Sequence, residues 1–174
     1  MSITLSSKEK GWRTPKYLFN YFNKKYNFTL DPCASPENAL VDKFYTEADD
    51  GLAQSWRDEV VFMNPPYGRE IEKWVAKAYT EALENNAIVV CLLPARTCTD
   101  WFWKYCAKGE IRFLKGRITF MDATTGMKPE NGATFPSVIV IFKKNHFAKI
   151  FGTNELAAGN GQTFSLDHES MKND

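Results

Sequence analysis

The sequence predicts an α/β fold in a single domain: an open, doubly wound sheet with helices on both faces, abbreviated in its middle and ending in a β-hairpin. Two continuously apolar runs, residues 60–63 and 87–93, are typical of strands buried on both faces. Each run is soon followed by a proline, which has no N–H and stops a strand. Between the runs, apolar residues recur at helical spacing from Ile71 to about Asn86. Alternation of strand and helix is typical of doubly wound sheets.

The other elements follow from capping residues and short apolar runs. Thr14 and Pro15 are typical of a helix start, and helical apolar spacing continues from them to Tyr26. Further along we expect a short strand at residues 28–31, a helix from Thr97 or Thr99 to Ala107, and strands at residues 111–114, 118–120 and 137–142. These last strands make up the terminal hairpin.

Composition excludes several classes of protein. The chain of 174 residues has the length of one domain. Its 22 Lys and Arg balance 21 Asp and Glu, so a contact with nucleic acid must use a local basic patch. The 4 cysteines are scattered and only 2 histidines are present, so we expect reduced thiols and no metal site. No stretch is typical of a signal peptide or a membrane span, so we expect a cytoplasmic protein without a membrane partner.

The composition also changes near residue 151. Residues 1–151 contain all the predicted elements. Residues 152–174 are polar and contain few large apolar side chains, and we predict a flexible C-terminal tail for them. A monomer and a weak dimer are both compatible with the sequence.

The most informative motif is Asn64-Pro65-Pro66-Tyr67, at the end of the first apolar run. The prolines end the strand and make a rigid elbow at its carboxyl end, where open α/β sheets bind ligands. The Asn64 side-chain oxygen and the Pro65 carbonyl can each accept one hydrogen of an exocyclic amine, which frees the nitrogen lone pair for attack. Tyr67 can stack on the ring that carries the amine. The elbow therefore predicts a site for a planar group with an amino function.

Several segments besides the elbow lie in a characteristic order over residues 12–142. They are Trp12-Arg13-Thr14-Pro15, Leu30-Asp31-Pro32-Cys33-Ala34-Ser35, Asp50-Gly51-Leu52 with Trp56, Asn64 to Gly68, Leu92-Leu93-Pro94-Ala95, Gly116-Arg117-Ile118-Thr119-Phe120, and Pro136-Ser137 before Val138 to Phe142. In order and spacing the chain resembles the small phage-type DNA N6-adenine methyltransferases, a Dam-like family that uses S-adenosylmethionine (SAM).

The resemblance implies a Rossmann-like SAM-dependent methyltransferase sheet, SAM as the cofactor and DNA as the partner. It implies that Asn64, Pro65, Pro66 and Tyr67 are catalytic. The cofactor-binding residues that it implies are Thr14, Pro15, Asp31, Pro32, Cys33, Ala34, Ser35 and Asp50. It also implies action in the cytoplasm of a bacterial host, with protection of phage DNA from restriction as the purpose.

Taken from the residues alone, each cofactor assignment has a structural alternative. Asp31 can belong to a plain strand-ending turn, because the segment lacks the glycines that cofactor loops usually carry. Thr14 can be a helix cap, and Asp50 can serve a turn with the glycine that follows it. Asp31 and Asn64 are also too close for two complete strand–helix units of about 30 residues each. Which acid contacts which part of SAM therefore stays open.

The predicted DNA contacts come from two regions. Basic and aromatic residues are interleaved between residues 101 and 117, which suits phosphate contact and stacking but equally a solvated face over a core helix. Residues 122–136 form a polar loop long enough to be functional. In and between these regions we predict Arg117, Phe120 and Phe135 as substrate-binding residues. Because little chain is left for a recognition domain, we expect a short or relaxed sequence preference.

The elbow does not by itself distinguish the acceptors of the methyl group. The same motif occurs in methyltransferases that modify protein glutamine or RNA, so RNA adenine, cytosine N4 and glutamine are alternatives to adenine in DNA. A non-catalytic nucleic-acid binding module that keeps the sheet is an alternative of another class.

Overall fold

The computed structural model of the protein describes residues 12–122, 135–144, 163–167 and 171. Its elements, in chain order, are β1 (Trp12–Arg13), α1 (Lys16–Tyr26), β2 (Val60–Met63), α2 (Ile71–Glu84), β3 (Ile88–Pro94), α3 (Asp100–Lys104), a 3-10 turn (Cys106–Lys108), β4 (Glu110–Lys115), β5 (Met121–Asp122), β6 (Ser137–Phe142) and β7 (Thr163–Asp167). A five-stranded sheet in the order β2-β3-β6-β4-β7 forms the core, and β1 and β5 form a separate antiparallel pair. No helix in the described ranges is both long and apolar enough to cross a membrane.

The first part of the sheet is a parallel strand–helix–strand unit. β2 and β3 pair in parallel, with Met63 opposite Cys91 at the end of the ladder. Both strands are almost wholly buried, as their continuous apolar runs predict. α2 connects them and ends at Glu84, close to the predicted end near residue 86. The α/β class of the sequence prediction is therefore confirmed.

The predicted strand at residues 28–31 is reduced to isolated bridges. Leu30 bridges to Val61 and Asp31 to Phe44, both in parallel. The backbone oxygen of Leu30 accepts a hydrogen bond from the amide of Phe62 at 3.0 Å. This segment therefore runs beside β2 and ends at the same edge of the sheet.

The second part of the sheet is antiparallel. β6 lies between β3 and β4 and is antiparallel to both, with Ser137 opposite Pro94 and Val138 opposite Phe113. All six residues of β6 are buried, which is expected for a strand with neighbours on each side. β4 and β6 are the two long strands predicted for the terminal segment.

The predicted strand at residues 118–120 is wrong. Gly116 ends β4 with a φ of 83°, which turns the chain away from the sheet. Ile118 and Phe120 are buried because they pack on the α1 side of the core, although they are not in a strand. The strand that follows is β5, which pairs with β1, so Met121 lies opposite Arg13.

The predicted flexible tail is wrong for residues 163–167. Thr163–Asp167 is β7, an edge strand parallel to β4, with Phe164 opposite Arg112. Its alternation of polar and apolar residues is a strand pattern that the polar composition of the tail obscures. Met171 is also buried, at 4% exposure, in the core on the α1 side. The other tail residues lie outside the described ranges.

Helices cover both faces of the sheet, as predicted. Successive side chains of a strand point to opposite faces, so Val61 and Met63 pack with α2 and α3. Phe62 between them packs with α1, where its ring meets the ring of Phe19 edge-on at 5.3 Å. The predicted helix after β3 is split into α3 and the 3-10 turn, and Thr99 is the residue before α3.

A buried acid ties the irregular segment before β2 to α2. Glu81 is 3% exposed, and its Oε2 accepts hydrogen bonds from the backbone amide of Trp56 at 3.2 Å and from Asn85 at 3.0 Å. Its Oε1 pairs with Lys77 at 2.6 Å. The indole of Trp56 stacks on Trp74 with ring centroids 6.3 Å apart. These contacts hold residues 50–58 without any regular element.

Replacing Glu81 by Ala should lower the free energy of unfolding by about 2–3 kcal/mol, because a buried amide and a partly buried ammonium lose their acceptor together. Urea denaturation followed by circular dichroism measures this loss. Glu84→Ala is the matched control, since Glu84 is exposed on the same helix. Equal losses in the two variants would contradict the anchoring role of Glu81.

Candidate active site

The directions of the strands bring four segments to one edge of the sheet. β2, β3 and β4 are parallel to one another within the sheet, so their carboxyl ends at Met63, Pro94 and Lys115 lie at the same edge. β6 runs the other way and starts at this edge, because Ser137 pairs with Pro94. The elbow, the segment after β3, the turn after β4 and Phe135 therefore surround one site.

The elbow joins β2 to α2 as a tight strand–turn–helix connection. Asn64 is partly buried, Pro65 is buried and Pro66 is exposed. The amide of Gly68 donates to the backbone oxygen of Pro66 at 3.0 Å, and α2 starts at Ile71. The main chain of the predicted catalytic motif is therefore fixed at both of its ends.

Tyr67 is anchored to the neighbouring strand. Its hydroxyl donates to the backbone oxygen of Leu92 at 3.1 Å. The β2–β3 ladder ends one step earlier, at Met63 and Cys91, so this bond continues the link between the strands beyond the ladder. Burial raises the pKa of Tyr67 well above its ordinary value, which keeps the phenol protonated as a donor.

The structure brings three predicted site residues together as an aromatic cluster, formed by Tyr67, Phe120 and Phe135. The ring of Tyr67 meets Phe120 at 6.1 Å and Phe135 at 5.5 Å, both nearly perpendicular. Phe120 and Phe135 are 6.4 Å apart. Arg117, the remaining predicted substrate residue, is exposed in the turn that leads to Phe120. The predicted loop 122–136 lies outside the described residues for all but its ends.

Residues 31–35, the predicted cofactor turn, lie directly against the elbow. The backbone N–H of Asn64 donates a hydrogen bond to the sulfur of Cys33, which is partly buried. Desolvation and the nearby carboxyl of Asp31 raise the pKa of the Cys33 thiol well above its usual value, so it remains a neutral thiol. One side chain of the turn therefore touches the main chain of the elbow.

Asp31 is a buried acid without a cationic partner among the described residues. It is 6% exposed, and its carboxylate accepts hydrogen bonds from the backbone amides of Cys33 and Leu40. Burial raises its pKa from 3.8 to about 7, against the opposing effect of these two bonds. It forms no ion pair within the part of the chain that the structure describes. A strand-ending turn explains its hydrogen bonds but not its unpaired burial, which suits a positively charged ligand.

The turn is closed by hydrogen bonds in place of the missing glycines. The amide of Ala34 donates to the backbone oxygen of Tyr45 at 3.0 Å. The amide of Tyr45 donates to the backbone oxygen of Asp31 at 2.9 Å. Ser35 donates its amide to the side chain of Asn38 at 2.7 Å. These bonds keep residues 31–35 compact without a glycine-rich sequence.

Gly51 packs against the same turn. A Cβ at this position would lie 2.0 Å from the backbone oxygen of Pro32, a distance that no side chain can tolerate. The Gly51 carbonyl accepts a hydrogen bond from the indole of Trp56 at 2.9 Å. Asp50 beside it is exposed, and its carboxylate accepts the amide of Leu52 at 3.2 Å. Asp50 therefore serves its own turn, as the structural alternative predicts, at a position next to the predicted cofactor turn.

Thr14 and Pro15 are buried where the N-terminal segment meets the site. The residue before α1 is Pro15, and Thr14 makes no capping hydrogen bond, so the alternative of a Thr14 helix cap is wrong. Pro15 instead accepts the amides of Leu18 and Phe19 with its carbonyl. The pairing of β1 with β5 places Thr14 beside the segment that contains Phe120.

Sequence reasoning missed Arg96 and the carbonyl of Leu92. Arg96 directly follows the matched segment at the end of β3, and its charge acts on the Tyr67 phenol. Its position after a strand that ends at the site edge was a usable signal. No sequence signal identifies the Leu92 carbonyl, because every residue has a main-chain carbonyl.

Fold and site together define an α/β enzyme class, the methyltransferases that act on amino groups: an open sheet carries an Asn-Pro-Pro-Tyr elbow beside a buried acid at its carboxyl edge. The chain belongs to the DNA N-6-adenine-methyltransferase (Dam) family, whose family model matches residues 1–162. The resemblance stated from the sequence is thereby confirmed.

Two phage proteins illustrate the relationship. The chain is 31% identical over 147 residues to the DNA N-6-adenine-methyltransferase of Haemophilus phage HP1, covering 82% of this chain and 83% of that protein. It is 32% identical over 151 residues to the DNA N-6-adenine-methyltransferase of Escherichia phage T1, covering 76% of this chain and 62% of that protein.

The raised pKa of Asp31 gives a prediction for stability. Because its pKa in the folded protein, about 7, lies above the ordinary 3.8, the folded state holds more protons than the unfolded state between these pH values. The Asp31 contribution to the free energy of unfolding should therefore fall by up to about 4 kcal/mol as pH rises through this window. Asp31→Asn should remove this dependence and gain stability relative to wild type at neutral pH.

Urea denaturation of both proteins at mildly acidic and neutral pH measures the effect. Asp42→Asn, at an exposed position in the same region, is the control. If the curves of wild type and Asp31→Asn stay parallel across the window, Asp31 is not a buried unpaired acid.

Proposed function

We propose that the protein transfers the methyl group of SAM to the exocyclic N6 amine of adenine in DNA. The observation that carries the proposal is the contact between the Asn64 main chain and Cys33, which joins the amine-holding elbow to the turn with the buried acid. A methyl donor and a methyl acceptor must meet in line within van der Waals distance. Membership of the Dam family supports adenine in DNA as the acceptor.

The residues of the predicted cofactor turn fit SAM. Asp31 is a buried carboxyl that has no cationic partner in the part of the chain that the structure describes, and the ammonium group of SAM is a cation of suitable size. In this proposal the backbone and small side chains from Pro32 to Ser35 border the methionine part, and Thr14 and Pro15 close over it. Asp50 is the acid proposed for the adenosine part of SAM. When bound, SAM supplies an electrophilic methyl group.

Asn64 and Pro65 hold the target amine. The Asn64 side-chain oxygen and the Pro65 carbonyl each accept one hydrogen from N6, which favours a pyramidal nitrogen with its lone pair free. No strong base is required, because the nitrogen becomes acidic after it gains the methyl group. Fixed acceptors in a rigid elbow stabilise the transition state without reorganising during the reaction.

The aromatic cluster supports the base after it leaves the duplex. Adenine in a duplex cannot reach the elbow, so it must be flipped out of the stack. Tyr67 provides the ring surface, and its hydroxyl bond to Leu92 fixes the plane of that ring. Phe120 and Phe135 border Tyr67 on the side of the predicted loop. Arg117 is proposed to contact phosphate from the adjacent turn.

We propose a Rossmann-like SAM-binding arrangement for residues 1–151, abbreviated where residues 36–58 replace a helical crossover. The proposal includes a short or relaxed sequence preference, action as a monomer or weak dimer, and work on DNA in the host cytoplasm.

Nucleoside analysis tests the proposal directly. DNA incubated with the protein and SAM is digested and separated by liquid chromatography with mass detection. N6-methyladenine supports the proposal, whereas N4-methylcytosine or an unmodified digest contradicts it. RNA and a glutamine peptide in parallel reactions test the alternative acceptors of the same chemistry.

Replacing Asn64 by Ala should reduce kcat by about 100-fold or more, because one preorganised acceptor is lost. The affinity for SAM, measured by calorimetry, should stay close to that of wild type. Asn20→Ala on the exposed face of α1 is the control. Near-normal kcat in Asn64→Ala would exclude the proposed role of the elbow.

Tyr67 variants separate ring stacking from anchoring. Tyr67→Ala should lower kcat/KM by about 5- to 100-fold, which corresponds to the stacking energy of one base. Tyr67→Phe keeps the ring but leaves the Leu92 carbonyl without this donor, so it should lose about 1 kcal/mol of stability while most activity remains. Steady-state kinetics and urea denaturation measure the two effects. Equal loss of kcat/KM in both variants would argue against stacking.

A further inference from the structure

We propose that Arg96 and Trp103, on the segment that follows β3, form a second DNA-contact surface beside the elbow and the aromatic cluster. In this surface Arg96 binds a phosphate next to the flipped adenosine, and Trp103 packs its ring against the DNA strand. The inference rests on the proposed function, because it takes DNA as the substrate.

The main chain around Arg96 is fixed. Its amide donates to the backbone oxygen of Pro94 at 2.8 Å. Its own backbone oxygen accepts two hydrogen bonds from Thr99, from the amide at 3.1 Å and from the hydroxyl at 2.7 Å. The segment leaves the site edge at Pro94, so Arg96 starts from a rigid position at that edge.

The guanidinium of Arg96 has no acidic partner among the described residues. Arg96 lies two residues beyond Pro94, where β3 ends at the same edge of the sheet as the elbow. Burial is the main cause of the raised pKa of Tyr67, and the positive charge of Arg96 opposes that rise, so Arg96 acts electrostatically on this edge. Arg96 forms no ion pair and no side-chain hydrogen bond among the residues that the structure describes. A guanidinium beside the elbow, with no acidic partner among the described residues, suits a phosphate of the flipped nucleotide.

Trp103 is exposed although its ring is held in place. It is 63% exposed, the largest exposure of any large apolar side chain in the described ranges. Its indole N–H donates to the backbone oxygen of Thr97 at 2.7 Å, in the segment that contains Arg96. The ring also forms a nearly perpendicular pair with the ring of Phe102, with centroids 6.2 Å apart. A fixed aromatic face loses little entropy on binding, which favours contact with a base or sugar.

Several other basic and aromatic residues of α3 and the 3-10 turn are already engaged within the protein. Trp101 and Phe102 are buried in the core. The ammonium of Lys104 lies 5.0 Å from the ring centre of Tyr105, and that of Lys108 lies 5.3 Å from the ring centre of Tyr79. The structural alternative of a solvated face therefore fits Lys104 and Lys108, whereas Arg96 has no such aromatic or acidic partner among the described residues and Trp103 is exposed.

The test measures DNA affinity by fluorescence anisotropy with a labelled duplex, in the presence of S-adenosylhomocysteine, over a series of salt concentrations. Arg96→Ala should weaken binding by about 5- to 10-fold and reduce the slope of log affinity against log salt by about 1. Trp103→Ala should weaken binding by about 5- to 10-fold, and Trp103→Phe by less than about twofold. Arg57→Ala is the matched charge control, because Arg57 is exposed at the opposite edge of the sheet and bonds to Asn85 at 2.8 Å.

Two results would overturn the inference. One is wild-type affinity and salt slope in both Arg96→Ala and Trp103→Ala. The other is an equal loss in Arg57→Ala, which would reduce the effect to total charge. SAM affinity by calorimetry, measured on each variant, excludes misfolding as the cause of a loss.

Nucleoside analysis of the same samples separates this inference from the proposed function. If wild type and both variants form N6-methyladenine with equal efficiency and bind DNA with equal affinity, only the proposed DNA-contact surface is refuted. DNA binding that depends on Arg96 and Trp103, without any N6-methyladenine, supports the surface and refutes the proposed function. No binding of wild type to DNA refutes both.

Discussion

The early end of β2 is the constraint from which the site follows. Pro65 and Pro66 cannot donate to a ladder, so β2 stops at Met63 while β3 continues to Pro94. The unequal strands leave the Leu92 carbonyl beyond the last pair, and the hydroxyl of Tyr67 takes the place of the missing neighbour. The same bond orients the ring of Tyr67 toward two phenylalanines. Two residues without an N–H thus determine the strand end, the turn and the aromatic cluster.

The abbreviated middle of the fold is held by packing rather than by regular elements. Between Asp31 and β2 the chain forms turns and one bridge, at Phe44, where a longer sheet would have a helical crossover. Gly51 lies against Pro32, Trp56 bonds to Gly51, and Glu81 bonds to Trp56. This series of contacts connects α2 to the turn at residues 31–35. Since α2 also starts at the elbow, a single helix supports both halves of the site.

The sequence predicted best what depends on local patterns. α2, β3, β4 and β6 have long apolar periodicity, and the elbow has prolines whose effect on the chain is unconditional. The prediction of a strand at residues 118–120 is wrong because buried apolar residues such as Ile118 and Phe120 give the same sequence pattern in a strand and in a turn that packs on α1. β7 was missed because its partner β4 is distant in sequence and its neighbours are polar. Predicted roles in SAM and DNA binding depended on the family resemblance, since side-chain meetings such as that of Tyr67 and Phe135 depend on tertiary packing.

Because Asp31 is buried, a proton and a cationic ligand compete for its carboxylate in the turn at residues 31–35. With a pKa of about 7, the Asp31 carboxyl is close to half protonated at neutral pH. A cation that enters must displace that proton, so each binding event releases a fraction of a proton to the solvent. The measured enthalpy of binding would then vary with the ionisation enthalpy of the buffer. The proton neutralises the Asp31 carboxylate, so the protein does not bury an uncompensated anion before a cation binds.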